Sequence, residues 1–375
     1  MRVGIFTYHR SHNYGAYLQA YSLSNAINDI EGVSCELINY NLSKEDEVYK
    51  KKKWKRPIYF FKFLKQDKIF NEEQKHQLLS GNLILDDNYE KILQYADEKY
   101  DVVIVGSDEI WRIASRGFPN AYWLPGKHKF IKMSYAASGR NSNQKLTDEV
   151  LKKMKSIYAD FNYIGVRDNI TGEQVKKSCP EVQIHRNCDP SFLYKNFKNK
   201  KNLKENICKK WKLNPNKKLI AVMYDRPNVI TNLRKLLGKD YEFICITRPM
   251  WNANKNLCTV TPFEWVDIIG GCDYLISSYF HGMLFAVNQN TPFIVIDRRA
   301  NKSNLETSKL YDFLTYTKME DRYKLASELN EDAWSKIAEQ IKLEIKNGAD
   351  FSEVIDNQKK LFEEFKEILM GFANE

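Results

Sequence analysis

The sequence predicts an α/β protein of two domains, each built on a parallel β-sheet, with amphipathic helices at the C-terminal end. Three observations support this. At 375 residues and 44.1 kDa the chain is long for a single domain. Hydrophobic residues make up 43% of it, which is enough for well-packed cores. Short apolar runs alternate with amphipathic stretches on both sides of a Lys/Asn-rich segment, and this alternation is typical of parallel sheets.

The first predicted domain, residues 1–195, opens with a strand, a helix and a second strand. The apolar run 3–7 predicts a buried strand, 16–30 an amphipathic helix and 34–40 the next strand. Two parallel strands joined by a helix form the β-α-β unit from which such sheets are built. Further strands of the same domain are predicted at 101–106, 132–138 and 163–168.

The Lys/Asn-rich stretch 196–217 carries little apolar pattern and is predicted to be a linker. The second domain, 218–325, repeats the alternation of strands and helices, with a helix at 262–270. Its strands are predicted at 219–223, 241–247, 273–276 and 292–297. The tail, 326–375, has the apolar spacing of two amphipathic helices.

The chain is basic, with a formal charge of +10 and a pI near 9.0. This excess favours anionic partners, although a lysine-rich solvated surface is an equal alternative. The basic residues are spread out and no groove-reading motif occurs, so we expect no nucleic-acid partner. The run 51–56, KKKWKR, with the aromatic residues after it, indicates either a solvated helix face or peripheral contact with an anionic membrane.

No secretory signal and no apolar run of transmembrane length is present, so we expect a cytoplasmic protein. The seven cysteines are odd in number and include no CxxC pair. Free thiols in a reducing compartment fit this pattern, and we expect neither a metal site nor a tightly bound cofactor. The oligomeric state, including a homo-oligomer, stays open at this point.

Polar and basic side chains collect just after predicted strands in both domains. Ligands of open parallel sheets bind beyond the carboxyl ends of the strands, so two such domains facing each other would place one cleft between them. Arginines and hydrogen-bonding groups there suit an anion, although each arginine alone could equally form a surface or interdomain ion pair. The candidate ligand-binding residues are His9, Asn13, Arg140, Arg167, Arg248, Ser277 and Ser278.

His281 lies in the stretch SSYFHGMLF, 277–285, where a predicted strand gives way to a helix. A helix N-terminus offers unpaired N–H groups and partial positive charge, and Gly282 allows close approach of the backbone. The helix dipole disfavours a protonated imidazole and a bound dianion favours it, so this histidine could become a proton donor when substrate arrives. The alternative is a histidine that caps the turn or packs against Phe280.

Asp108 occurs in GSDEIWR, 106–112, directly after a predicted strand. Its carboxylate could accept a proton from a sugar hydroxyl, or it could cap a helix beginning near Ile110. The chain contains no Walker A, GxGxxG, HExxH or GxSxG pattern, so the commonest nucleotide, zinc-protease and hydrolase signatures are absent.

Six short motifs occur in a characteristic order along roughly residues 1–320. They are NYGAYLQAYSL (13–23), VVIVGSDEIW (102–111), SYAASGR (134–140), GVRDNITGEQV (165–175), CDPSFL (188–193) and CDYLISSYFHGMLFAVNQNTPFIVI (272–296). Together they resemble the polysaccharide pyruvyl transferase family. The resemblance implies a GT-B-like fold, with two Rossmann-like domains facing a central cleft. It also implies transfer of pyruvate from phosphoenolpyruvate (PEP) to two hydroxyls of a sugar, forming a cyclic ketal.

The resemblance implies a role for each matching residue. His281 would be the general acid, Arg167 a contact to the PEP anion, and helix N–H groups near Gly282 would hold the phosphate. Asp108, or residues within 9–13, would orient or deprotonate the acceptor. The acceptor would be a nucleotide-sugar, a lipid-linked intermediate or a growing cell-surface glycan, as in capsule or exopolysaccharide biosynthesis.

One position departs from the family pattern. Many members have an arginine that binds PEP two residues before the histidine, and this chain has Tyr279 there. Either this branch uses an aromatic version of the motif, or Arg248, Arg298 or Arg299 takes over. Two rival functions follow: a glycosyltransferase using a nucleotide-sugar, and a non-catalytic homologue that binds PEP or glycan. The helix at 281–290 lacks the carboxylate typical of the first rival.

Overall fold

The chain forms two compact units. In the computed structural model, unit 1 consists of Met1–Tyr194 with Gln358–Glu375, and unit 2 consists of Lys195–Asn357. Within the residues that the structure describes, no helix combines the length and the apolar character needed to cross a membrane. The basic run 51–56 lies outside them. The described residues are 1–44, 60–113, 117–139 and 146–373.

Unit 1 is built on a parallel sheet that contains six strands in the described part of the chain. Its strands lie in the spatial order β2-β1-β5-β6-β7-β8, and β3 and β4 form a separate parallel pair. The strands are β1 (Arg2–Phe6), β2 (Ser34–Leu37), β3 (Tyr40–Asn41), β4 (Ile84–Leu85), β5 (Val102–Asp108), β6 (Ile131–Ala137), β7 (Tyr163–Val166) and β8 (His185–Arg186).

The central strand β5 is buried on both faces. Consecutive side chains of a strand point to opposite faces, yet Val102, Val103, Ile104 and Val105 are all inaccessible to solvent. Helices on both sides of a parallel sheet produce this continuous apolar run. The helices of unit 1 include α1 (Tyr14–Asn28), α2 (Phe60–Glu73), α3 (Tyr89–Lys99), α4 (Asp148–Tyr158) and α5 (Asn169–Ser178).

Unit 2 contains a second parallel sheet, also of six strands in the described residues. In spatial order the strands are β11-β10-β9-β12-β13-β14, so the third, second and first strands of the unit precede the fourth, fifth and sixth. This is the order of a doubly wound Rossmann sheet. The strands are β9 (Lys218–Met223), β10 (Tyr241–Cys245), β11 (Lys255–Asn256), β12 (Tyr274–Ser277), β13 (Phe293–Asp297) and β14 (Tyr323–Leu325).

Each sheet has one point where the chain order reverses, and connections on either side of it leave in opposite directions. In unit 1 this switch point lies between β1 and β5, and in unit 2 between β9 and β12. A crevice at the carboxyl ends of those strands is the usual ligand site of such sheets. The helices of unit 2 include α6 (Lys200–Trp211), α7 (Asn228–Leu237), α8 (Pro262–Gly271), α9 (Phe280–Asn288), α10 (Lys309–Tyr316), α11 (Glu331–Asn347) and the start of α12 (Ser352–Gly371).

Two predicted segments need correction. The stretch predicted as a linker contains helix α6, which turns Leu203 and Ile207 into the core at a spacing of one helical turn. The tail is not a separate element, because α11 belongs to unit 2 and α12 enters unit 1 at Gln358. There the Phe365 ring lies 4.7 Å from the Tyr135 ring. The seven cysteines are free, as predicted, and the structure shows that all of them are buried.

Candidate functional site

At the switch point of unit 1, hydrogen bonds join the loop after β1 to the end of β5 and to the residue that follows it. Thr7 Oγ1 donates to the Ser107 carbonyl oxygen at 3.2 Å, and the Tyr8 hydroxyl donates to the Glu109 carbonyl oxygen at 3.1 Å. The Ser107 hydroxyl oxygen is buried and has no hydrogen-bond partner among the described residues. Asp108 follows it with a φ of 77°, a backbone region that L-residues seldom occupy outside functional or strained sites.

His9 lies in the loop after β1 and is buried. Its Nδ1 is 3.1 Å from the Thr7 carbonyl oxygen, and its Nε2 is 3.3 Å from Asn39 Oδ1. Burial lowers the pKa of His9 to about 4, although the two hydrogen bonds oppose that change. The ring is therefore neutral at pH 7 and adds no positive charge for an anion. Asn13 caps α1, because its side-chain oxygen accepts from the Gly15 and Ala16 N–H groups.

Arg167 lies at the end of β7, surrounded by carboxylates. Its Nη1 donates to Asp189 Oδ2 at 2.7 Å, and its Nη2 lies 3.5 Å from Asp108 Oδ1. Burial opposes the guanidinium charge, but Asp189, Asp108 and Asp168 outweigh that effect and raise the pKa of Arg167. Among the described residues of this cluster, one guanidinium faces three carboxylates, so their summed charge is negative. Such a field repels an anion, and it suits a group that orients or deprotonates a hydroxyl.

Both carboxylate oxygens of Asp168, the next residue, accept hydrogen bonds from neighbouring protein groups. One of its oxygens accepts from Thr171 N–H at 2.9 Å and caps α5, while the other accepts from the Ser138 hydroxyl at 2.6 Å. Asp189 likewise accepts from the backbone N–H of Ser191 at 2.9 Å. Asp108 differs from Asp189 in exposure, because the side chain of Asp108 is 15% exposed and that of Asp189 is 2% exposed. The predicted ligand residue Arg140 lies outside the described residues.

At the switch point of unit 2, the turn after β12 is tied to the end of β9. Ser278 donates to the Met223 carbonyl oxygen from its N–H at 3.0 Å and from its hydroxyl at 3.2 Å. Ser277 is fully buried, and its hydroxyl accepts from Tyr279 N–H and donates to the Tyr279 carbonyl oxygen. The two predicted serines therefore shape the turn from which α9 begins.

Gly282 is required by packing. A Cβ added there would lie 2.5 Å from Met223 Sδ, a distance that real Cβ atoms essentially never show, and 3.0 Å from Ser277 Oγ, which is a tight contact. The missing side chain lets α9 approach β9, a glycine role known from dinucleotide-binding sheets of other proteins. The predicted close approach of the Gly282 backbone to a ligand stays a prediction, and the structure adds a close approach between protein elements.

His281 is the second residue of α9 and is 9% exposed. Its ring packs edge-on against the Phe280 ring, with the centroids 5.7 Å apart. Lys309, the first residue of α10, places its ammonium group 5.1 Å from the centre of the same Phe280 ring. The predicted junction of strand and helix is confirmed, and so is the packing contact with Phe280.

Arginines gather around Asp225, which follows β9. Arg248 Nη1 lies 3.6 Å from Asp225 Oδ2, and Arg298 forms an ion pair with the other oxygen. The Arg298 guanidinium also lies over the Tyr224 ring, 5.5 Å from its centre. Arg226 is exposed beside this cluster. Among the described residues, these three arginines outnumber the two carboxylates that act on Tyr224, those of Asp225 and Asp297, which is the reverse of the Arg167 cluster.

Asp225 and Arg226 were missed by our reasoning from the sequence, although the signal was present. Both directly follow a predicted strand, which is the rule by which the other candidates were chosen. Arg248 and Arg298, which we predicted as alternatives to the missing family arginine, are brought together by Asp225. Arg299 is exposed, and its backbone N–H donates to Asp297 Oδ1 at 2.8 Å.

The family model for polysaccharide pyruvyl transferase matches residues 13–299. The chain belongs to that family. The matched range contains the described candidates of both switch points except His9. A search of curated proteins finds no match to this chain.

The chain is similar to several solved structures at low sequence identity. A protein from Listeria monocytogenes assigned as a UDP-N-acetylglucosamine 2-epimerase matches with a TM-score of 0.51 and 11% identity, over 96% of this chain and 91% of that one. S. aureus MnaA with UDP matches with a TM-score of 0.49 and 11% identity, over 91% and 87%. E. coli ADP-heptose LPS heptosyltransferase II matches with 0.46 and 10%, over 92% and 99%.

At such low identity, the first of these matches shows the fold alone. It confirms the predicted fold class, an α/β protein with two Rossmann-like units of the GT-B-like kind. Among the described residues of this pyruvyl transferase family member, carboxylates outnumber guanidinium groups in the Arg167 cluster of unit 1, and the reverse holds in the Asp225 cluster of unit 2.

Proposed function

We propose that this chain transfers pyruvate from PEP to two hydroxyls of a sugar, and that unit 2 binds the PEP. Family membership makes the chain a transferase of polysaccharide synthesis. The observation that carries the donor assignment is the cationic switch point of unit 2, where Arg248 and Arg298 converge on Asp225.

PEP carries a phosphate and a carboxylate, so its site needs several donors and a net positive charge. Guanidinium groups pair with both anions through parallel N–H bonds. In the structure, Asp225 holds Arg248 and Arg298 in place. An incoming dianion offers more negative charge than this one carboxylate, so it draws the arginines from Asp225 to itself. Tyr279 stands where many family members have an arginine, and these two arginines replace that charge.

The reaction conserves its atoms as follows. A proton adds to C3 of PEP, which makes C2 electrophilic, and a sugar oxygen forms a bond to C2. The C2–O bond to phosphate breaks, and the second sugar oxygen bonds to C2 to close the ketal. The two hydroxyls release two protons, of which one balances the new methyl group and the other the released phosphate.

His281 is the proposed acid that protonates C3. It lies at the amino end of α9, where backbone N–H groups and the helix dipole favour a phosphate. A dianion bound there stabilises the imidazolium, so the acid is charged when the donor is present. The ring contact with Phe280 holds the imidazole in one orientation, as an acid catalyst requires.

In unit 1, Asp108 is the proposed group that orients or deprotonates a sugar hydroxyl. It is the more exposed member of the Arg167 cluster, and its carboxylate is held by the buried guanidinium. We propose that Arg167 positions Asp108, in place of the contact to PEP implied by the family resemblance. The acceptor belongs to a cell-surface glycan or its activated precursor, and the reaction takes place in the cytoplasm.

The deciding experiment is calorimetric titration of the full chain with PEP. Wild-type protein should bind PEP in the micromolar range, and Arg298→Gln should weaken binding at least about tenfold, since a hydrogen bond to a charged group contributes about 1.5–3 kcal/mol. Arg2→Gln removes the same charge from the amino-terminal edge of the other sheet and serves as the matched control. Its affinity should equal that of wild type.

Turnover separates the enzyme from a binding protein. Phosphate release that needs both PEP and a sugar acceptor supports the transferase, and His281→Ala should abolish it while the circular dichroism spectrum is kept. If wild-type protein binds no PEP at millimolar concentration, the donor assignment fails. If His281→Ala turns over normally, His281 is not the acid. Binding of nucleotide-sugars alone would favour the glycosyltransferase rival.

A further inference from the structure

Trp251 projects from the loop after β10 with 85% of its surface exposed. Single exposed apolar residues are common on proteins and need no explanation by themselves. This one is unusual because the residue before it, Met250, is buried in the core of unit 2. The indole is therefore carried on an anchored backbone.

Hydrogen bonds hold the loop on both sides of the tryptophan. Asn256 accepts from Met250 N–H at 2.8 Å and donates to the Met250 carbonyl oxygen at 3.1 Å. Asn252 donates from its side chain to the Pro227 carbonyl oxygen at 2.8 Å and to Thr231 Oγ1 at 3.0 Å. An aromatic ring on a fixed backbone loses little conformational entropy when a ligand covers it.

The same contacts bring positive charge to the tryptophan loop. Asn252 joins it to Pro227, and Arg248 joins it to Asp225 with 3.6 Å between Nη1 and Oδ2. Arg226, which is exposed, lies in the chain between those two joined positions. A flat aromatic surface and a guanidinium group thus occur on neighbouring loops at the carboxyl edge of one sheet.

We propose that Trp251 and Arg226 bind a nucleoside diphosphate, with the base stacked on the indole and the diphosphate paired with the guanidinium. An indole face can stack on any of the nucleic-acid bases. The arginine guanidinium pairs with phosphate oxygens through two parallel N–H···O hydrogen bonds. The ligand class is a sugar linked to a nucleoside diphosphate. Reading this ligand as the sugar acceptor rests on the proposed transferase function, whereas its binding does not.

The test is titration of the full chain with UDP, GDP and CDP, and with the UDP-linked form of a hexose. Trp251→Ala should weaken binding of the preferred nucleotide about tenfold, the effect of losing one stacking contact. Trp251→Phe is the matched control, because it keeps a ring and should stay within about threefold of wild type. Arg226→Gln should weaken binding and flatten its dependence on salt.

A second measurement reports the contact directly. Acrylamide quenching of tryptophan fluorescence should fall when the nucleotide is added to wild type and should not change in Trp251→Phe. Binding by Trp251→Ala equal to wild type overturns the proposal. So does absence of nucleotide binding at millimolar concentration, or equal competition by a hexose phosphate that lacks a base.

Failure here and failure of the donor assignment are distinguishable. Titration with PEP should be unchanged in Trp251→Ala, because no PEP contact is assigned to the indole. Nucleotide binding that depends on Trp251 in a protein that ignores PEP keeps this site and removes the transferase function.

Discussion

Because the imidazole of His9 is buried, the unfolding free energy of unit 1 should fall as the pH is lowered. The ordinary pKa of histidine is 6.5, and burial lowers that of His9 to about 4 in the folded protein. The unfolded chain therefore takes up a proton near pH 6.5, and the folded chain does not until about pH 4. Because the folded pKa is the lower one, the stability contributed by neutral His9 is complete above pH 6.5 and is lost as the pH falls toward 4.

The size of the effect follows from the two values. Between pH 7 and pH 5 the unfolded state gains about 0.7 of a proton at this residue, whereas the folded state gains about 0.1. Linkage converts that difference into about 2 kcal/mol of lost unfolding free energy. Solvent screens this effect little, because His9 is only 1% exposed.

The assay compares wild type with His9→Gln by urea unfolding at both pH values. Other titrating groups contribute equally to the two proteins and cancel in the comparison, so wild type should lose about 2 kcal/mol more than the variant. In NMR spectra, the ring resonance that disappears in His9→Gln should stay constant from pH 8 to pH 5.5. Equal losses in the two proteins, or a resonance that titrates near pH 6.5, would refute the reasoning.

Three further predictions concern packing and buried charge. Arg167→Met should lower the unfolding free energy by about 3–5 kcal/mol in denaturant titrations, because it leaves the Asp108 and Asp189 carboxylates uncompensated, and Arg167→Lys should lower it less. Gly282→Ala should cost about 1–2 kcal/mol in thermal unfolding, since its methyl group would overlap Met223, and an unchanged transition would contradict that overlap. Phe365→Ala should lower stability by about 3–5 kcal/mol and expose unit 1 to proteolysis, which a stable tryptic pattern would disprove.

Much of the fold was predictable because periodicity is a property of the chain itself. The run 102–105 is apolar at every position, and a strand covered on both faces is what such a run requires. Helix α6 was missed for the opposite reason. Lysine and asparagine dominate its composition, and the few apolar residues that carry its packing, such as Leu203 and Ile207, were hidden among them.

The location of the candidate residues in the fold was predictable, and their contacts were less so. Arg167, Arg248 and His281 were expected just after strands and lie there in the structure, and their roles stay predictions. Sequence spacing could not show that Arg167 lies among carboxylates or that Asp225 gathers Arg248. Those facts depend on which loops become neighbours, and a contact between distant residues leaves no local pattern.

Helix α12 begins in unit 2 and continues into unit 1, so a helix that follows unit 2 in the sequence packs into unit 1. During synthesis on a ribosome, β6 and β7 emerge long before Phe365, which packs against Tyr135 and Tyr163. The whole of Lys195–Asn357 must be translated in between. The nascent first unit therefore waits with an uncovered apolar surface, a state that aggregates readily and that chaperones protect. Unit 1 is therefore the first unit to be synthesised and the second to be completed.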